Sequence, residues 1–582
     1  MVCLNRERAF YFSGAVIGAR PVRKIHGPVR KVRRTLQVLA ATIPLVLAAI
    51  AGADAATVSV LTYHNDNSRT GWNPNETQLT TANVNPTQFG LKFSVPLDAE
   101  VFAQPLYVPQ VTIGGTAHNV VIAATENATV YAIDGDTGAV LWTHPFASPP
   151  RIVASKQCHC AAPRVQGLTG TPTIDVGRDS IYVVARTDEG SPGSMITHYR
   201  LHALLIESGN DRVSPTDIKL SATASGGVTV RLSPVWSLQR PGLAEGSGVV
   251  YVAFGSQGDQ QPATTTGWIA AYDATTLKPV GAFPNGATTA GGRPQKLGVL
   301  GGGRGWVRLA SIWMSGAAPA IDSSGNIFVQ TANGAFDGSR DWGECLLKIS
   351  PTLSGVLDYF TPASYKYDND HDGDLGSAGA ILLPQPAGPY SVVVAGGKPG
   401  ITFLVDQSHL GKVEPPGDPN VLFWAKTNFG LWGSPAAYVG SDGNTYLFVP
   451  GSGPMTSWRV ATTTRPKPSL VEVGQTPDQF GKGQDGGTIP VISSNGVLPG
   501  TAIVWAYSRA DSPTDITLRA YDASNLAHEL INIPFTRWVG GDSLITPMVA
   551  NGMVYAGGNA VLNAYGLLSR LGDGLFWMAG AG

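Results

Sequence analysis

The chain has 582 residues, 43% of them hydrophobic and 14% charged, with 40 Lys/Arg against 41 Asp/Glu. That balance excludes the strongly basic face on which nucleic-acid binding depends. The 71 Gly and 42 Pro suit many short strands joined by tight turns rather than long helices.

Residues 1–55 read as a removable signal peptide. They carry nine Lys/Arg and two acids ahead of and around the apolar run Leu36–Ile50, and Ala53-Asp54-Ala55 offers small residues for cleavage. The run is shorter than the roughly 20 residues of a membrane span, so no transmembrane segment is expected in the mature chain. Arg33-Arg34 just before it suggests a twin-arginine signal, and the long stretch ahead of the pair leaves the true start site open. Without the signal, 31 basic residues face 39 acidic ones, a mildly acidic balance near −8. A periplasmic or secreted location follows. Residues 56–90 form a polar lead-in segment.

From residue 91 to 567 the chain repeats. Each unit opens on a small residue or Pro and continues as apolar strand, polar turn and apolar strand. The openings are Gln104-Pro105, Thr171-Pro172, Leu243-Ala244, Ala318-Pro319, Gly379-Ala380, Ser434-Pro435, Ile489-Pro490 and Thr546-Pro547, spaced 55 to 75 residues apart. That length fits one four-stranded sheet with its loops. A second marker is the turn Ala132–Trp142 (AIDGDTGAVLW), with weaker copies at Ala203–Gly209, Ala271–Leu277 and Ala520–Leu526. Asp134 and Asp136 are placed to bond the turn backbone, Gly138 to take a positive φ, and Trp142 to pack between units. The predicted fold is all-β, an eight-bladed β-propeller with four-stranded antiparallel blades and tryptophan-docking-type turns. A string of unrelated β-sandwiches would not repeat that turn. The stretch Leu91–Leu97 has no partner in its own unit and is expected to complete the last blade. Tyr63–Trp72 is expected to cover one mouth of the ring, and residues 568–582 form a tail.

Once Cys3 leaves with the signal, Cys158, Cys160 and Cys345 remain, so one disulfide and one odd thiol are expected. The bridge is either Cys158–Cys160 or one of these with Cys345. Two Cys and a His are too few for a closed zinc site. No Cys-x-x-Cys-His occurs, so covalent haem is not expected.

The docking turn and the repeat resemble those of the pyrroloquinoline-quinone (PQQ) propeller family, over nearly the whole mature chain. That family includes quinoprotein alcohol and sugar dehydrogenases and also non-catalytic envelope scaffolds. The resemblance implies a series of site residues in order. Trp313 resembles the tryptophan beneath the quinone, Asn333 a metal ligand, Asp372-Gly373-Asp374 the Asp-x-Asp of lanthanide-using members, and Lys398 the base that contacts the quinone oxygens. Asp372 is then the catalytic base and Asp374 a metal ligand. The family's metal-binding Glu has no clear counterpart, Asp259 being the nearest candidate. The implied cofactors are PQQ with calcium or a lanthanide, and the implied substrate is a small alcohol or sugar. Chemically the series is coherent, because a flat ring holds a planar quinone, carboxylate and amide oxygens suit a hard cation, and a carboxylate can take the hydroxyl proton.

Each residue also has a structural reading. Trp313 could wedge blades apart, Asn333-Gly334 could be an ordinary β-turn, Lys398 a loop lysine, and Asp368–Asp374 a structural calcium loop or a solvated acidic turn. Glu126, Asn127 and Arg164 could face the channel without an assigned role. The alternative function is a non-catalytic envelope or secreted scaffold binding a protein or polymer. A propeller lyase or glycosidase would need paired carboxylates across the channel.

Overall fold

The computed structural model describes residues 58–146, 165–191, 194–223, 229–258, 265–286, 309–462, 467–481, 487–509, 515–537 and 545–568. Residues 1–55, Cys158, Cys160, Arg164 and Asp259 lie outside this set.

Besides a separate two-stranded ribbon joining Ser221–Thr223 to Thr229–Arg231, eight small, mainly antiparallel sheets follow one another around the ring, each built on four main strands. Seven take these in sequence order, and two carry a fifth short strand. Their innermost strands begin at Leu106, Thr173, Ala244, Ala320, Ile381, Ala436, Val491 and Met548, one or two residues after the openings read from the sequence. Blade 4 is Ala320–Ile321, Ile327–Gln330, Leu346–Ile349 and Val356–Phe360; blade 5 is Ile381–Leu382, Val392–Gly396, Ile401–Asp406 and Phe423–Lys426. Among the described residues the one α-helix is the short turn Tyr365–Asp370. No described helix is long and apolar enough to cross a membrane.

The ring closes as expected. Phe89–Pro96 pairs antiparallel with Val561–Leu567, so the N-terminal strand is the outermost strand of blade 8. Alternating apolar residues of adjacent sheets interdigitate between blades, with large side chains such as Trp268 and Trp505 fully buried there.

The docking turn works by a specific contact. Asp134 Oδ1 accepts from Asp136 N (3.1 Å), Thr137 N (2.8 Å) and Thr137 Oγ1 (2.7 Å). Asp136 does not share that role; its carboxylate accepts from Asn119 Nδ2. Trp142 reaches into the copy on the next blade, where its Nε1 donates to Ile206 O at 3.0 Å. A Cβ on Gly209 would lie 2.5 Å from the indole, so only glycine lets the ring dock there.

The lead-in segment does more than cover a mouth. In a propeller each innermost strand turns an open hydrogen-bonding edge to the axis, and such edges need partners. Val60 pairs with Tyr107 of blade 1, and Leu61 O accepts from Ile174 N of blade 2. Asn67 bonds Glu245 O of blade 3 and Ile321 N of blade 4. Ser68 O, Thr70 O and Gly71 O then accept from Leu382 N, Ala437 N and Ile492 N of blades 5, 6 and 7. Asn73 Nδ2 finally reaches Val549 O of blade 8. The segment therefore visits all eight blades in order and plugs the centre.

The antiparallel order puts the first-to-second and third-to-fourth strand turns on one face. The second-to-third loops and the blade-to-blade connectors share the other, called here the connector face.

Candidate functional site

On the connector face, where blades 4 and 5 meet, four residues distant in sequence join in one hydrogen-bonded knot. The second strand of blade 4 ends at Gln330, and the chain then runs antiparallel to the connector ahead of blade 4. Ala332 N donates to Ser311 O (2.9 Å) and Ala310 N to Asn333 O (2.8 Å). Gly334 and Gly343 allow this crossing of backbones, since a Cβ would meet Ala310 N at 2.5 Å or Gly334 O at 2.3 Å. Asn333 is thereby held over the connector of blade 5, its N donating to Asp374 Oδ1 at 2.9 Å and its Nδ2 to Asp372 Oδ1 at 3.0 Å.

Asp372 follows the helix Tyr365–Asp370 in a left-handed conformation (φ 60°), which Asp tolerates better than most residues. Asp368 and Asp370 thus lie in a helical turn, not in a coordinating loop. Lys398, in the loop after the second strand of blade 5, places Nζ 2.8 Å from Asp372 Oδ1 and 2.5 Å from Asp374 Oδ2. The two carboxylates differ in access: the Asp372 side chain is 41% exposed and that of Asp374 is sealed at 0%. Burial and the neighbouring Asp374 raise the pKa of Asp372, against the pull of Lys398 and Asn333.

Three further side chains hold this arrangement, and none was anticipated. Gln330 is buried and clamps the seam, with Nε2 donating to Leu375 O, Ala378 O and Gly396 O and Oε1 accepting from Gly396 N. Asn369 Oδ1 accepts from Gly334 N (2.8 Å). Glu344 is fully buried and accepts from Leu375 N at 2.7 Å. Burial, followed by the adjacent Asp374, pushes its pKa well above the ordinary carboxylate value. The only signal for Glu344 in the sequence is a lone acid opening the apolar run Cys345-Leu346-Leu347.

Trp313 stands on the connector ahead of blade 4, two residues past Ser311. Its ring lies along Gly255, where a Cβ would be 2.2 Å from Cδ1, and its Nε1 donates to Ser256 O at 2.9 Å. Its bond therefore goes to blade 3 rather than to the knot. Cys345 is a free buried thiol, 2.9 Å from Thr361 Oγ1, so a disulfide to Cys345 does not form; burial pushes its pKa up. Glu126 does not face an open channel. It is buried, with Oε2 accepting from Gly167 N and Thr169 Oγ1, and burial raises its pKa to about 8. Asn127 is tied to Asp98 at 2.8 Å.

The knot is a set of hard oxygen donors around one ammonium. Asn333 Oδ1 is buried and has no hydrogen-bond partner, and an orphaned amide oxygen beside two carboxylates suits a hard cation. Among the described residues no three His, Cys, Asp or Glu side chains gather closely enough to hold an ion by themselves.

No protein-family model matches the chain, and no curated protein matches it in sequence. In structure it is similar to the quinohemoprotein alcohol dehydrogenase of Comamonas testosteroni, with TM-score 0.56 and 14% identity over 90% of this chain and 82% of that one. It is similar also to quinohemoprotein alcohol dehydrogenase ADHIIG of Pseudomonas putida HK5, with TM-score 0.53 and 13% identity over 88% and 81%. A europium-containing methanol dehydrogenase matches with TM-score 0.52 and 14% identity over 88% and 98%. The class is therefore clear at the level of fold: an eight-bladed β-propeller, arranged as in these three structures. At such identity the likeness extends to the fold alone.

Proposed function

We propose that the chain is an exported quinoprotein-type oxidoreductase acting on a small alcohol or sugar, with PQQ and calcium or a lanthanide as cofactors. The observation that carries this reading is the knot itself. Asn333, Asp372, Asp374 and Lys398 meet on the connector face, with a sealed carboxylate, an open carboxylate and an orphaned amide oxygen. Asn333 and Asp374 would hold the cation, and Asp259 is retained as a further candidate. The Trp313 ring offers a flat face for the quinone. When bound, the quinone and its cation supply the two-electron acceptor and the Lewis acid.

The protein's own groups then divide the work. Asp372 is the member that solvent and substrate can reach, and it takes the hydroxyl proton of the substrate as general base. Its raised pKa strengthens it as a base, and Lys398 opposes that rise. Lys398 is also placed to stabilise negative charge that develops on a bound carbonyl oxygen. Asp374, held by Asn333 N and Lys398, fixes the position of both. Substrate would enter from the connector face, since the lead-in segment plugs the centre. The signal read in residues 1–55 supports a periplasmic or secreted location for the mature protein.

Reconstitution with PQQ plus calcium or a lanthanide, followed by dye reduction over alcohols and sugars, tests the reading. Turnover is expected, and Asp372→Asn should lower kcat by at least about a hundredfold with the fold intact, the usual scale of general-base loss. Absence of both quinone absorbance and turnover would sink it.

One observation favours a second reading, a propeller scaffold binding an envelope protein or polymer. Lys398 already bridges Asp372 and Asp374, so that carboxylate pair has a counter-charge without any ion. In that case Asp372→Asn leaves partner capture unchanged.

A further inference from the structure

Directly after the half-buried Trp313 the backbone makes a strained turn. Met314, Ser315 and Gly316 are all left-handed, at φ 46°, 49° and 86°. Two of the three carry side chains that disfavour this region, and such residues persist only where their surroundings hold them. Here the turn is fastened to four blades. Trp313 Nε1 donates to Ser256 O of blade 3 (2.9 Å), and Gly316 O accepts from Gly242 N ahead of that blade (2.9 Å). Met314 Sδ accepts from Gln330 N of blade 4 (3.4 Å). The buried Ser315 hydroxyl lies 2.6 Å from Ser377 O, ahead of blade 5, and also against Trp432 O, ahead of blade 6. Its one proton is shared between two carbonyls. Ser377 in turn adjoins the charged cluster. Its N donates to Asp374 O (3.3 Å), which also accepts from Lys398 N (3.1 Å), and its Oγ reaches Asp374 O (3.0 Å) and Leu431 O (2.5 Å).

We propose that Ser315 is a positioning residue whose hydroxyl ties the Trp313 turn, through Ser377, to the backbone of Asp374 and Lys398, so that the ring and the charged groups keep one fixed geometry. What that geometry serves rests on the quinoprotein reading above, whereas the coupling belongs to the chain whatever it binds. Glycine is the default residue at a left-handed position, and Gly316 next door obeys that rule. A serine at the preceding position accepts a conformational cost and supplies what glycine lacks, a donor for two carbonyls on different connectors. The two parts of the role can be separated. Ser315→Ala removes the hydroxyl and keeps the strain; Ser315→Gly removes the hydroxyl and releases the strain.

The test is a double-mutant cycle read at the ring. The full mature protein, free of quinone, is labelled with 5-fluorotryptophan, and Trp313→Phe assigns the Trp313 line in the fluorine NMR spectrum. Asp374→Asn should displace that line in the wild-type background, and the displacement should be largely lost with Ser315→Ala. Equal displacement in both backgrounds, or none in wild type, overturns the coupling. If Ser315→Ala does not fold by circular dichroism, Ser315→Gly takes its place with the same expectation; Lys398→Gln replaces Asp374→Asn on the same terms. After reconstitution with PQQ and calcium or a lanthanide, Ser315→Ala and Ser315→Gly should each lower kcat about tenfold or more with little change in KM, since a small misplacement of reacting groups has effects of that order. Turnover by wild type with unchanged kcat in both variants overturns the positioning role and leaves the quinoprotein reading standing. No turnover by wild type overturns that reading, and the fluorine cycle still decides the coupling.

Discussion

Two regions of this propeller bury charge, and they do so in opposite ways. In the central plug the charge is an arginine among acceptors. Arg69 donates from Nε to Pro319 O and from Nη1 to Thr62 Oγ1, Tyr63 O and Asp66 O, at 2.8 to 3.0 Å. Asp66 lies behind it, accepting from Thr70 N and Thr70 Oγ1. One cation offsets one carboxylate through charge, and the guanidinium's hydrogen bonds go to carbonyls and hydroxyl and amide oxygens. In the knot at blades 4 and 5, Asp372 and Asp374 both contact one lysine, and Asn333 Oδ1 has no donor. A buried polar group that serves only the fold is expected to be satisfied; a surplus of acceptors is what a site built for a cation shows. The contrast makes the plug architecture and the knot chemistry.

The contrast breaks most readily at Arg69. Arg69→Met removes the guanidinium, leaving Thr62 Oγ1 and the carbonyls of Tyr63, Asp66 and Pro319 without that donor and the Asp66 carboxylate without its nearby counter-charge. It should cost about 3–5 kcal/mol, the range for stripping one partner from a buried pair. Urea denaturation measures this. Calcium or a lanthanide should restore none of the loss, because nothing in the plug waits for an ion. Restoration by a cation would erase the distinction between the two regions.

The next effect is a pH limb. His64 is wholly buried, with Nδ1 and Nε2 each 3.0 Å from a carbonyl, those of Arg69 and Pro490. Burial outweighs these contacts and brings its pKa down from 6.5 to about 4. The folded state thus binds this proton less readily than the unfolded state does. Its stabilising contribution is complete above pH 6.5 and is lost as pH falls toward 4, by up to about 3 kcal/mol. Denaturation midpoints between pH 7 and 4 should trace that limb, and His64→Gln should flatten it. An unchanged limb in the variant would mean the plug does not hold a neutral imidazole.

Much of the architecture is written locally and so can be read. The eight unit openings sit just ahead of the eight innermost strands because a small residue or Pro at a connector is a local requirement. The closing strand Phe89–Pro96 was legible as an apolar stretch without a partner. The site is legible only in part. Asn333, Asp372, Asp374 and Lys398 could be placed by resemblance and do meet. Gln330, Glu344 and Asn369 could not, since a single Gln, Glu or Asn carries no periodicity and takes its meaning from a partner 31 to 66 residues away. Likewise, the lead-in segment reads as a polar loop. That it satisfies eight strand edges in turn is visible only once the ring exists to present them.

The smallest expected effect separates the two regions most sharply. Asn333→Ala removes one hydrogen bond, from Nδ2 to Asp372. It leaves the backbone bond from N to Asp374 in place and also removes an acceptor that has no donor. Losing the bond is unfavourable by about 1 kcal/mol, and losing an unsatisfied buried acceptor offsets part of that. In the absence of ions the variant should therefore unfold within about 1 kcal/mol of wild type. A group that serves the fold would not be so cheaply removed, as Arg69 illustrates. The same variant should weaken terbium binding by the mature protein, since it loses an oxygen donor proposed to hold the ion. Unchanged terbium affinity with a loss of several kcal/mol in stability would reverse the assignment and make Asn333 a structural residue.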